Sequence, residues 1–401
     1  MLSALRSKPL LLALGAMSVQ QTFASVGRNI PFVIAPAVLA DLRLDPAWLG
    51  IYVALGAIGA LVIQLGCGSF IVRHGALRMS QVALAMLAIG LSAAAAGPVG
   101  LFVVSALVGG GGGALSTPAS SHLLGRYAPP GYAPLVFSIK QTAVPAGLLV
   151  TGVLGPLLTD WIGWRGGLLV IALACLAFAI ALQPMRRSFD ADRVPTRRFH
   201  LSDFQRTIAV VTVNRELRQL SLASAAFSGL QTVFIAYFTT YLAALGYGLA
   251  AAGLVFSAAT MVAVPGRILW GWIGSTRATP RQLLGMLAIG MAICSTLLGV
   301  AESLSPVILI GLASFGLALT ALSWHGVLLA EASRLAPEGA RGTATGGVLS
   351  FGQFGGLVLP LVYSAQLGAT DSHGAGFILC GLPALVVGLM LLRSSRADRK
   401  A

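Results

Sequence analysis

Charge is what this sequence of 401 residues has least of. Only 9% of its residues are Asp, Glu, Lys or Arg, where soluble domains carry roughly a quarter. The shortage is deepest in acids, with 12 Asp and Glu against 26 Lys and Arg. So little polar surface cannot coat a water-soluble globule of this size, which excludes a soluble enzyme, a disordered chain and a secreted disulfide scaffold. Cysteine is scarce too. Cys67, Cys175, Cys294 and Cys380 lie in apolar stretches without C-x-x-C or metal-ligand spacing, so they read as small buried hydrophobes. No nucleophile–base pair can be assembled, and the run Gly109 to Gly113 is followed by no G-K-[ST]. No enzymatic activity, cofactor or metal is expected.

What the chain has in abundance is apolar length: 57% of residues are hydrophobic. Twelve stretches can each cross ~30 Å of hydrocarbon at 1.5 Å per residue: 9–39, 47–72, 77–96, 99–123, 134–158, 164–185, 217–245, 249–274, 281–301, 305–332, 341–366 and 373–393. Lipid offers backbone groups no partners, so spans of this length are helices. The expected fold is an all-α membrane protein of 12 transmembrane helices. The N-terminal run outlasts a secretory signal and is read as the first span. One long hydrophilic stretch, 186–216, carries Arg186, Arg187, Arg193, Arg197, Arg198, Arg206 and Arg215. It is a basic linker between two six-helix bundles, 1–185 and 217–401.

With both termini placed in the cytoplasm, the cytoplasmic segments hold 21 basic residues and the far side only Arg43 and Arg165. That asymmetry sets the orientation by the positive-inside rule. It also explains the net charge of +14 as topology, not nucleic-acid binding. A shift of 203 residues places Gly50 on Gly253, Gly68 on Gly271, Arg78 on Arg281 and His122 on His325. The stripe Ser18, Gln21, Ser25, Arg28 falls on Ser221, Ser224, Ser228, Gln231. An internal duplication of this kind builds a central site that opens alternately to either side.

The loop between spans two and three reads Gly68-Ser-Phe-Ile-Val-Arg73-His-Gly75-Ala-Leu-Arg78. It resembles the G-x-L-A-D-R-x-G-R-R signature of the major facilitator superfamily, and the resemblance covers the whole chain. Gly68, Arg73, Gly75 and Arg78 match; Val72 stands where the family has an aspartate that helps latch the bundles. The second-half counterpart runs Gly266-Arg267-Ile-Leu-Trp-Gly271-Trp272. Span four carries Ser105 in place of the arginine of the family's R-x-x-x-G-x-G element, ahead of Gly109 and Gly111. Span five keeps Gly152, Gly155 and Pro156 of an antiporter pattern but has Thr159 and Asp160 where glycines follow. The segment from Ser138 to Gly147 is similar to that of bacterial cyanate and organic-acid permeases. The resemblance implies a monomeric secondary transporter working by alternating access in a bacterial inner membrane. Proton symport is usual in the family, and Ser105 leaves its route unassigned here.

Three cations, Arg28, Lys140 and Arg267, lie within the spans, while all twelve acids fall outside them or at their ends. A charge at bilayer depth costs about 2.5–3.5 kcal/mol on insertion scales, and a bound anion would offset it. Arg28 lies ~6 Å from mid-membrane, on one helical face with Ser18, Gln21 and Ser25. It either lines an aqueous cavity or, if the helix ends near Pro31, snorkels outward. Arg267 is in a register that resembles the carboxylate-holding arginine of monocarboxylate transporters; a gating arginine is the other reading. Lys140, six residues into span five, could snorkel. Gln141 and Gln353 pair by the repeat, and with Gln231 can orient a ligand or link helices. Tyr237 and Tyr241 are cavity donors on span seven. His122 and His325 could titrate near neutral pH but are placed toward the cytoplasmic ends of spans four and ten. The six tryptophans read mostly as interfacial belt residues. The expected cargo is a small organic anion, a monocarboxylate above all, clamped by Arg28 and Arg267 from opposite bundles. Efflux of neutral or apolar drugs is the alternative, and a non-transporting sensor a more distant one.

Overall fold

The computed structural model describes residues 8–128, 133–196, 202–304, 307–337 and 341–397. Both chain ends, expected to be cytoplasmic, and residues 197–201 of the linker lie outside the described residues. In chain order the helices are α1 (Lys8–Val33), α2 (Ala35–Leu42), α3 (Trp48–His74), α4 (Ala76–Ala95), α5 (Val99–Tyr127), α6 (Ala133–Gln141), α7 (Ala143–Ala181) and the single turn α8 (Arg186–Phe189). They continue with α9 (Ser202–Val213), α10 (Arg215–Ala244), α11 (Leu249–Met261), α12 (Ala263–Thr276), α13 (Pro280–Leu304), α14 (Val307–Ala321), α15 (His325–Leu335), α16 (Arg341–Thr370) and α17 (His373–Ala397).

Among the described residues eleven helical stretches are long and apolar enough to cross a membrane, and one of them, Ile139–Phe189, runs for 51 residues. A straight helix of that length would measure roughly 75 Å, more than twice the hydrocarbon thickness. It is not straight. Gly163, with φ 75° and ψ 161°, breaks α7 in a conformation that a Cβ would oppose. The count of eleven against the expected twelve turns on this one residue.

The described residues fall into two compact units, and the division differs from a simple six-plus-six cut. Unit 1 contains 1–31 with 55–201, and unit 2 contains 32–54 with 202–401. Hydrogen bonds and close packing tie segment 32–54 to the second unit. Pro36 has no N–H to give the Phe32 carbonyl, four residues back; the Thr239 hydroxyl on α10 donates to it instead, at 3.0 Å. Further along, Ser364 on α16 donates to the Ala47 carbonyl, and Gly50 lies flat against Ser364 and the Pro360 carbonyl.

Small residues set the helix spacing inside each unit. In unit 1 a methyl on Gly59 of α3 would fall within the Leu107 carbonyl of α5, and one on Gly110 within the Gly56 carbonyl. Gly110→Ala is therefore expected to cost about 1–3 kcal/mol by overpacking. Gly109→Ala, with nothing within 4 Å of its new methyl, should be harmless, and comparing their thermal unfolding midpoints checks this. The duplication reappears in packing. Gly147 of α7 lies over Ser25 of α1 in unit 1, while Gly352 and Gly355 of α16 lie over Ser224 and Ala225 of α10 in unit 2.

The linker docks on unit 1. Gly75, at φ 98°, turns the chain into α4, and the Asp190 carboxylate accepts from the first amides of that helix, Leu77 (2.7 Å) and Arg78 (3.0 Å). This is an N-cap supplied from more than a hundred residues away. Asp190 is buried, which pushes its carboxyl above the ordinary carboxylate range, and the two amides only partly oppose that shift. Asp192 pairs with Arg126 at 3.0 Å and lies 3.4 Å from His122, which puts His122 at the linker face. Val194 N–H donates to the Val72 carbonyl at 2.8 Å. The loop that lacks an aspartate at Val72 is thus held by a carboxylate from the linker.

Candidate functional site

In unit 1 the polar stripe of α1 meets a strip of small and hydroxylic residues on α5. Gly113, Ser116, Thr117 and Ser120 share one face of α5 by helical spacing. The Gln20 amide donates to Ser116 Oγ at 2.9 Å. The Gln21 carbonyl oxygen accepts from Thr117 (3.3 Å) and Ser120 (3.5 Å). Lys140, at the end of α6, is fully buried, with Nζ 3.4 Å from the Thr117 carbonyl; it does not snorkel. Arg28 lays its methylene stem over Gly113, where an added Cβ would stand 2.6 Å from Arg28 Cδ. Arg28 and Lys140 thus approach α5 one turn apart.

Among the described residues the Arg28 guanidinium has no hydrogen-bonding or ion-pairing partner. The carboxylates of unit 1 are Asp160, exposed near the α7 break, and Asp190 and Asp192 in the linker. One expectation needs correction. Ser25 does not join this strip; its hydroxyl donates to the Val144 carbonyl of α7 at 2.9 Å and serves helix packing. Gln141 closes α6 next to the helix break at Thr142, and Pro145, with no N–H to give the Gln141 carbonyl, explains that break.

Unit 2 uses its polar groups at broken helices. Span eight is interrupted at Val262, between α11 and α12, and span ten at 322–324, between α14 and α15. Helix ends leave carbonyls unpaired, and Arg267 Nε donates to the Leu322 carbonyl at 3.0 Å. Ser323 donates to Ala263 O at 3.3 Å, and Trp270 Nε1 to Leu319 O at 2.9 Å. Arg267 is therefore committed at least in part to holding two breaks together. Trp324 is not a belt residue: it is fully buried and donates to Gln231 Oε1 at 3.1 Å. Trp164 is likewise buried, whereas Trp48, Trp161 and Trp272 are exposed. His325 opens α15 and stacks on Trp324 at 3.7 Å, so it belongs to the break within span ten and not to its cytoplasmic end. Tyr237 packs against Tyr363, ring centroids 4.1 Å apart, inside an aromatic cluster with Tyr241 and Phe377. Gln353 sits half-buried on α16 beside Gly352.

The signature residues differ in use. Gly75 is needed by conformation and by its contact with Asp190, but Gly68 and Gly271 have open space around them. Arg73 and Arg78 are exposed. Arg281, the repeat counterpart of Arg78, is 6% exposed and pairs with Glu216 (2.5 Å) and Glu331 (3.3 Å). Glu331, buried within α15, also holds Arg334 at 2.7 Å.

Sequence reasoning missed Gln20, Ser116, Thr117 and Ser120. The signal was present: Ser116-Thr117-Pro-Ala-Ser120 is a cluster of hydroxyls in an otherwise apolar span.

A helical chain with many membrane-crossing stretches carries, in its first unit, a polar strip approached by two cations. The chain belongs to the Major Facilitator Superfamily, whose profile matches residues 17–360. It is 25% identical over 399 residues to a gallate transporter of Pseudomonas putida, covering 92% of this chain and 88% of that protein. Its fold is similar to a bacterial homologue of the human lysosomal transporter Spinster in an inward-facing, unoccupied state, with TM-score 0.78, 15% identity and 98% of each chain covered. It is also similar to a D-xylose–proton symporter, with TM-score 0.68, 18% identity and 96% of each chain covered.

Proposed function

We propose that this transporter moves a small organic anion, of the carboxylate class, across a bacterial inner membrane, with twelve crossings, both termini cytoplasmic and alternating access driven by a proton gradient. The observation that carries this reading is Arg28, a cation at membrane depth with no protein partner among the described residues. A guanidinium offers a carboxylate two parallel N–H bonds, and Gln21, Thr117 and Lys140 lie along the same strip to orient the remainder of the ligand. The likeness to a gallate transporter supports the anionic class, gallate being an aromatic carboxylate. Gln141, in the same unit, contributes a neutral polar contact in this proposal.

The test is ligand-induced stabilisation of the purified protein. Gallate, benzoate and lactate are compared with their carboxamides, which keep the shape and lose the charge. A ligand that binds only the folded protein raises its apparent stability, by about 2.7 kcal/mol at a hundredfold excess over Kd. At least one acid is expected to raise the melting midpoint while its amide does not. Stabilisation by neutral compounds alone would point to the efflux reading instead.

A further inference from the structure

A buried titratable pair in unit 2 takes no part in the anion strip. His373, the first residue of α17, is 4% exposed, and its Nδ1 lies 2.9 Å from the hydroxyl of Tyr363 on α16, itself fully buried. The enclosure is aromatic: Tyr237 packs against Tyr363, and Tyr241 meets the His373 ring edge-on at 6.2 Å. Tyr241 has its hydroxyl committed to the Leu298 carbonyl, at 2.9 Å. From α13, the Glu302 carboxylate accepts from the Gly374 amide at 2.9 Å and from the Ser372 hydroxyl. On α17 itself Cys380 is turned to the Leu359 carbonyl, and Asp371 in the preceding turn is exposed. Glu302 is thus the one carboxylate tied to this helix end among the described residues, and its oxygen is already engaged by the Gly374 amide and the Ser372 hydroxyl.

The next residue along α16 is Ser364, which holds Ala47, and Gly50 packs on the same site. A titratable hydrogen bond and the anchor of segment 32–54 therefore occupy consecutive residues. We propose that His373 binds a proton in the transport cycle and that its protonation loosens segment 32–54 from α16. A neutral imidazole accepts the Tyr363 O–H or donates to its oxygen, depending on the tautomer. An imidazolium can only donate, so Tyr363 becomes the acceptor and its hydrogen turns away. Charge inside an aromatic enclosure is disfavoured relative to charge in contact with water. A proton on His373 therefore favours the state in which the segment has lifted and water enters, and lifting the segment favours proton binding by the same factor. The inference rests on the proposed proton coupling and topology, but its test needs no substrate.

The experiment uses the full chain in nanodiscs, with the four native cysteines replaced by serine. The reporter is Leu49→Cys, a position 6% exposed in segment 32–54, and exposed Thr370→Cys is the control. Maleimide labelling rates are taken between pH 8 and pH 5.5. The ratio of reporter to control is expected to rise about tenfold on acidification, the factor by which protons at pH 5.5 favour a lifted state with an ordinary imidazole pKa of about 6.5 over an enclosed state that binds almost none. It should stay flat with His373→Gln. A flat ratio in the protein that keeps His373 overturns the proposal, as does an equal rise without it. His373→Asn is the second replacement should the glutamine variant fail to assemble. Loss of carboxylate binding at Arg28 would leave this readout unchanged, so the two proposals fail separately.

Discussion

Arg28→Gln is expected to reduce carboxylate uptake at least a hundredfold and to leave the protein as stable as before, or more so. Both halves follow from one fact: the guanidinium is half-buried at membrane depth and has no protein partner among the described residues. Hydrogen bonds to charged groups contribute about 1.5–3 kcal/mol each, so loss of a two-bond grip on a carboxylate removes roughly 3 kcal/mol or more. A membrane-embedded arginine meanwhile costs about 2.5–3.5 kcal/mol on insertion scales, and glutamine relieves most of that. Lost packing of the long stem over Gly113 opposes the gain, so the melting midpoint should be unchanged or slightly raised. Arg28→Lys keeps the charge but loses the planar fork, and should fall between the two in uptake. Uptake into proteoliposomes and thermal melts of the same preparations read both quantities. If uptake and stability fall together, Arg28 holds the fold and not the cargo.

The largest effect on stability is expected at Gly75. Its φ of 98° lies where residues with a Cβ incur about 1–3 kcal/mol of strain. An added methyl would also collide with the Asp190 carboxylate and dislodge the cap on Leu77 and Arg78. Losing a cap costs a further 0.5–2 kcal/mol or so. Gly75→Ala should therefore lower the melting midpoint by roughly 10 °C, taking 2–4 °C per kcal/mol for a unit of this size. Asp190→Ala removes the cap without straining the backbone and should have about half the effect. Gly68→Ala, seven residues earlier in the same signature, has open space around it and should change little. Equal losses at both glycines would mean that the signature acts as a whole and not through the Asp190 contact.

How much of this was legible beforehand depended on the kind of information each residue carries. Apolar runs locate spans because the bilayer demands length, and α7 was divisible because Asp160 to Arg165 interrupts the run around Gly163. The interior cations were found because so few charges compete for attention. Direction was harder. Spacing put Ser25 on the face of Gln21 and Arg28, but helical period does not say which neighbour a face meets, and Ser25 meets Val144 while Gln21 meets Thr117. Depth misled at Lys140, where a short distance to the surface suggested snorkelling and the ammonium instead turns to the Thr117 carbonyl. Position within a span misled at Trp324 and His325, because the sequence around them marks no break in span ten. Asp190 as a cap on α4, and Tyr363 beside His373, join residues far apart or across a turn; nothing local announces either pairing. The polar strip lies between these cases, since its hydroxyls are visible in the sequence and their partners are not.

In the proposed site Arg28 recognises the negative charge of the cargo. The most direct measurement is a two-by-two comparison: affinity for the best-binding carboxylate and for its carboxamide, each in the wild type and in Arg28→Gln. Removing charge from the ligand and from the residue disrupts the same contact, so the two losses should not add. The wild type is expected to prefer the acid by about a hundredfold, as estimated above for a two-bond contact, and Arg28→Gln to bind acid and amide alike. A variant that keeps the full preference for the acid would contradict the account and move the site of anion recognition away from Arg28.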